Sequence, residues 1–99
     1  MKKPVIVRAE AEYDLAEAYR WYEQQVRDLG GEFLLCVDAV MASIERNPQL
    51  YPVVYKGIIR RALMRRFPYG VFFVEGDRSV SVIAAAHAMR NPRVWQDRV

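Results

Sequence analysis

His87 is the only histidine in the 99-residue chain. An imidazole of ordinary pKa, near 6.5, suits it to give or take a proton around neutrality. Arginines crowd the same half of the sequence, with Arg60, Arg61, Arg65, Arg66 and Arg90 falling within thirty positions of it. A guanidinium is a planar fork that grips phosphate or carboxylate through two hydrogen bonds. Tyr69 adds a ring that stacks on a base or donates a proton. The chemistry within reach is therefore proton transfer beside a bound anion. Each residue also has a plainer role. His87 can hold a backbone carbonyl or the tail. Arg60 and Arg61 can be a solvated strand edge that resists sheet-to-sheet aggregation.

The charge is unevenly spread. Residues 1–54 carry six basic and nine acidic side chains, a net −3, whereas residues 55–99 carry nine basic and three acidic ones, a net +6. That asymmetry implies an anionic partner for the second half. Metal chemistry is not expected, because one His and one Cys, Cys36, make no ligand set. No glycine-rich phosphate loop is present, and no cofactor is expected. Disulfides within the chain are excluded by the single cysteine. No apolar run nears the roughly 20 residues that cross a bilayer. The opening Met-Lys-Lys-Pro-Val-Ile-Val-Arg lacks the apolar core of a secretory leader. These features together lead us to expect a cytoplasmic protein with no membrane partner.

With 53% apolar residues and this length, the chain is expected to fold as one domain over residues 1–99. Val5, Ile6 and Val7 read as a first strand. Leu15, Tyr19, Tyr22, Val26 and Leu29 recur at helical steps and read as one stripe of a first helix. Glu10, Glu12 and Asp14 sit where the helix dipole favours acid. Gly30-Gly31 should break that helix. A second follows through Phe33, Val37, Val40 and Ile44, and Asn47-Pro48 should end it. Two helices joined so closely pair antiparallel. Residues 58–66, 67–75 and 79–86 read as three strands, with Glu75-Gly76-Asp77-Arg78 as a turn. The expected fold is α+β, in the order β-α-α-β-β-β, with the helical hairpin on one face of a small, mostly antiparallel sheet. The tandem Arg60-Arg61 then sends one side chain to each face. Arginines are expected to gather on the face opposite the helices. Residues 86–99 are expected to form a tail pinned to the body by Trp95. Cys36 is expected to be buried and inert.

Asp14-Leu15 is followed seven residues on by Trp21-Tyr22. Gly31-Glu32-Phe33 opens the second helix, and Asn47-Pro48 closes it. Arg60-Arg61, Arg66-Phe67-Pro68-Tyr69 and a tail of His87, Arg90, Pro92, Trp95 and Arg98 complete the pattern. In this order and spacing the chain resembles the RelE/ParE superfamily of toxins from bacterial type II toxin–antitoxin modules. The resemblance implies a cognate antitoxin partner. The Arg-Phe-Pro-Tyr segment and the tail are more similar to the ParE-like branch, which implies DNA gyrase as target. The alternative is a RelE-like endoribonuclease that cuts mRNA on the ribosome. A third is a non-toxic remnant that still binds its antitoxin. An isolated chain can also form a homodimer through the surface an antitoxin would cover.

The resemblance assigns roles to residues. In a metal-independent nuclease, His87 would move the proton and Arg61 and Arg90 would stabilise the phosphorane charge. Under the other readings, Arg60, Arg61, Arg65, Tyr69 and Arg90 contact target or antitoxin. RelE-like enzymes carry a lysine-rich segment and a C-terminal tyrosine. Here Lys56 is the only lysine after Lys3, and no tyrosine follows Tyr69. Arg65 and Arg66 are expected to pair with the acidic helices, and Arg90 with Glu17 or Asp14. Trp21 is a candidate for a partner surface.

Overall fold

The computed structural model describes residues 3–99, and Met1 and Lys2, part of the N-terminal reading above, lie outside it. The chain runs β1 (Val5–Val7), α1 (Ala9–Gln25), α2 (Leu29–Arg46), a 3-10 turn at Pro48–Leu50, β2 (Val53–Tyr55), β3 (Ile59–Leu63), β4 (Tyr69–Glu75), β5 (Val80–His87) and a single helical turn, α3 (Arg93–Gln96). The α+β class and the helical hairpin are as expected. One strand more is present than the sequence indicated, because β2 is only three residues long and follows a proline.

The hairpin breaks earlier than the glycines suggest. α1 ends at Gln25, and Asp28 turns the chain with φ of 70°. Gly30 and Gly31 lie inside the first turn of α2. The reason is local capping. The Glu23 carboxylate accepts from the backbone N–H of Asp28 and of Gly30, each at 2.9 Å, and so satisfies two donors at the start of α2. Gly30 is required there for closeness. A Cβ would lie 2.8 Å from both the Tyr19 ring and the Tyr19 carbonyl. The buried stripe of α1 is Ala11, Ala18 and Tyr22, while Val26, expected in it, is 59% exposed beyond the helix end. Small residues at 11 and 18 let the helix lie close to the sheet.

The sheet order is β1-β5-β4-β3-β2. β1 runs parallel to β5, and the other neighbours are antiparallel. Val71, Phe73, Val80, Val82 and Ala62 face the hairpin and pack with Ala11 and Ile44. A second cluster of Tyr22, Phe33, Val37, Met64 and Phe67 closes that layer. The opposite face departs from expectation. It is a small apolar core of Ile59, Phe72, Ile83, Ala84 and Ala86 under Trp95, not a field of arginines. Trp95 stacks on Phe72 at 4.2 Å and meets Tyr55 edge-on. Apolar residues at alternate positions of β4 and β5 are buried on both faces, so cations have no place at the sheet's centre.

A bulge interrupts β5. Phe72 pairs with Ala84 and Phe73 with Val82, leaving Ile83 as the extra residue. The slip puts Ile83 and Ala84 on one face and returns Ala85 and His87 to the helix side. No helix of the described residues is long and apolar enough to cross a membrane.

Candidate functional site

β3 divides the tandem arginines between the two faces. Arg60 points to the helix side, where its Nη1 donates to the Tyr51 carbonyl at 2.6 Å. It holds the turn before β2 and leaves no free fork. Arg61 lies on the other face. Its stem runs over Gly70, where a Cβ would come within 3.3 Å of Cγ. Its Nε is buried with no hydrogen-bond partner among the described residues. Gly70 in mid-sheet is the sequence signal for that close passage.

His87 ends β5. Its Nδ1 accepts from the Met89 backbone N–H at 3.1 Å, which in the neutral ring leaves the proton on Nε2 as a donor. The ring meets Tyr69 edge-on at 5.5 Å. The Arg90 backbone N–H donates to the His87 carbonyl, which brings the Arg90 side chain back beside the sheet end. Arg61, His87 and Arg90 thereby line one groove of about 260 Å³, floored by Gly70 and Ala86 and walled by Pro92, Trp95 and Gln96. Two guanidiniums and one imidazole without a carboxylate in the lining suit an anion.

Two further concavities lie on the helix side of this point. One of about 380 Å³ runs between α1 and the tail, lined by Tyr13, Asp14, Glu17, Trp21, Tyr69 and Arg90 among others. The other, about 390 Å³, is bounded by Trp21, Tyr22, Pro68, Tyr69 and His87. Trp21 is 55% exposed at their junction. Tyr69 is mainly a packing residue, edge-on to Tyr22 and Phe33. Burial pushes its phenol above the ordinary value, against a downward pull from Arg90 and with a smaller push from Asp14.

The carboxylates here are already engaged. Asp14 takes a bidentate grip from Arg98, at 2.6 and 3.0 Å, and accepts from the Ala85 backbone N–H at 3.0 Å. Arg98 also donates to the Ile83 carbonyl at 3.0 Å. The Asp14 carboxylate holds the Arg98 guanidinium above its usual pKa, against burial. Glu17 is held below the usual carboxylate range by Arg20, and next by the Tyr13 hydroxyl. Arg90 therefore does not pair with Asp14 or Glu17 as expected, and Arg98 takes Asp14 instead. That pairing joins residues 84 positions apart, and no local pattern announces it.

The remaining predicted residues fall elsewhere. Arg66 pairs with Glu32 on α2. Arg65 has no ion pair and borders a separate groove against α2. Cys36 is half-buried at that groove rather than sealed in the core. So Arg61, His87 and Arg90 come together, Tyr69 stands next to them, and Arg60 and Arg65 do not join the set.

No family model and no curated protein matches the sequence. A solved structure does match in shape. A chain described as "Chromosomal ParDE TA system from P. aeruginosa" superposes with a TM-score of 0.77 at 12% sequence identity, covering 87% of this chain and 96% of that one. The fold of this chain, a strand and helical hairpin on a mixed five-stranded sheet, is thus of the ParE-like type that the motif pattern implied.

Proposed function

We propose that the chain is the toxin component of a type II toxin–antitoxin module, held inactive by a cognate antitoxin. The observation that carries this reading is the superposition over 96% of a chain from a ParDE system. The groove of Arg61, His87 and Arg90 supports it as the contact to an anionic target, since its lining is cationic and its one unpartnered buried nitrogen belongs to Arg61. The ParE-like branch makes DNA gyrase the first target to test. Induced expression of the chain alone arrests growth, and co-expression of the antitoxin restores it. Arg61→Ala/Arg90→Ala, which leaves both cores untouched, should raise colony counts under induction by at least tenfold. Normal growth on wild-type induction would dismiss toxicity. Supercoiling by purified gyrase, with and without the chain, then reads the target.

A second reading has one specific support. His87 stands between two arginines with a free Nε2, the minimum for moving a proton beside a phosphate. The RelE-like nuclease predicts cleaved transcripts in arrested cells and their loss in His87→Ala.

A further inference from the structure

The two edges of the sheet are treated differently. β1 ends at Val7, opposite Val82, and leaves β5 uncovered beyond that point. There Asp14 takes the Ala85 N–H and Arg98 caps the Ile83 carbonyl, so side chains from α1 and the tail stand in for the missing strand. β2 likewise covers only the start of β3. It pairs Val53 with Arg60 and Tyr55 with Ile59, and its row ends where the Pro52 carbonyl accepts from the Arg61 N–H. Beyond Arg61 nothing takes its place.

The direction of the open groups follows from antiparallel geometry. The Met64 N–H donates to the Tyr69 carbonyl on the β4 side, and the Arg61 N–H points to the β2 side. Backbone groups alternate along a strand, so the N–H and C=O of Leu63 point away from β4 into the vacated row. Neither has a backbone partner among the described residues. The Leu63 side chain is 54% exposed.

Beside this edge lies a groove of about 310 Å³ between α2 and β3, lined by Cys36, Val40, Ser43, Tyr51, Leu63 and Met64 and rimmed by Arg65 and Arg66. Arg66 is paired with Glu32, whereas Arg65 carries an unpaired positive charge.

We propose that this edge docks an extended acidic segment of a partner chain, which adds as a sixth strand beside Leu63, inserts an aliphatic side chain under α2 and places a carboxylate on Arg65. The inference deepens the antitoxin reading and rests on it for the existence of a partner. An open strand edge calls for extended backbone. The groove calls for alternate apolar side chains, and the unpaired guanidinium calls for a carboxylate. A second copy of this chain fits less well, because antiparallel pairing of two β3 edges brings Arg65 towards Arg65. Antitoxin and target then engage different surfaces, since the groove of Arg61, His87 and Arg90 lies on the other face of the sheet.

The test uses the full chain and three probes. They are the peptide acetyl-Glu-Val-Glu-Leu-Glu-Val-Glu-amide, its counterpart with Lys at every Glu, and the acidic peptide N-methylated at alternate residues on the edge that pairs. The readouts are amide hydrogen exchange at Leu63 and titration affinity. The acidic peptide should slow Leu63 exchange at least tenfold and bind at least tenfold tighter than the lysine peptide. N-methylation should abolish the protection, and Arg65→Glu, a surface change, should reverse the charge preference. Absence of Leu63 protection by the acidic peptide, equal affinity for both charges, or protection confined to another edge overturns the proposal. So does protection of Leu63 without peptide in a sedimenting dimer, which would assign the edge to a second copy. Growth arrest without Leu63 protection defeats the docking alone, and protection without growth arrest defeats the toxin reading alone.

Discussion

Gly30 and Gly31 are neighbours with opposite roles. Gly30 is where the two helices approach most closely, because any Cβ there meets Tyr19 ring and backbone at 2.8 Å. The backbone contact cannot be relieved by a rotamer change. Gly30→Ala should therefore cost about 2 kcal/mol of overpacking strain. Gly31 has nothing within 4 Å of its Cβ position and sits in a helical turn. Gly31→Ala should stabilise by about 0.5 kcal/mol, since alanine has less backbone freedom to lose on folding. Urea denaturation of the two variants checks the pair; a loss of stability in both would show that the helix entry tolerates no side chain. Arg61 shows the same logic at the site. Its passage over the sheet depends on the missing side chain of Gly70, so a residue outside the chemistry decides where the guanidinium lies.

Among the elements, β5 is the one that ties the site together. Its bulge at Ile83 decides that His87 emerges on the helix side, next to Tyr69. The bulge leaves backbone groups that need partners, and the Asp14–Arg98 pair supplies them. Asp14→Ala removes an acceptor for a half-buried guanidinium and for the Ala85 N–H together. Its expected cost is about 2 kcal/mol, with faster exchange at the Ala85 amide. Asp14→Asn keeps one acceptor and should lose about half as much. Equal stability of wild type and Asp14→Ala in urea would refute the sealing role. The β2–β3 connection is a second local device. Lys56 and Gly57 both hold positive φ, 52° and 71°, as a two-residue hairpin requires.

At the scale of the molecule, two apolar cores share one sheet, and the aromatic core under the hairpin contains two tyrosines. Burial, the larger cause in each case, raises the phenols of Tyr22 and Tyr69 above the ordinary 10.0. In the unfolded chain they ionise near that value; in the folded chain they hold their protons to higher pH. Below pH 10 both states are protonated and these groups add no pH dependence. Above it the unfolded state ionises first, so stability falls as pH rises towards the folded-state values. The urea midpoint should drop above pH 10, and Tyr22→Phe should make the drop shallower. An unchanged slope in Tyr22→Phe would mean that other groups, such as Lys3 paired with Glu75, set the alkaline limit.

Periodicity and punctuation alone determined that there are two amphipathic helices ending at Asn47, strands at 59–63, 69–75 and 80–87, and a basic second half. These are local or compositional properties, written in side-chain order along the chain. Tertiary structure decided the rest. The hairpin turned at Asp28 because Glu23 caps the next helix, and Gly30 stayed helical because Tyr19 crosses it. Arg60 went to structure and Arg61 to the groove because a strand alternates its faces. Asp14 chose Arg98 over Arg90 because an exposed strand edge placed an N–H and a carbonyl between them. Each of these outcomes depends on groups far apart in the chain brought within hydrogen-bond range, and only the folded path sets that distance.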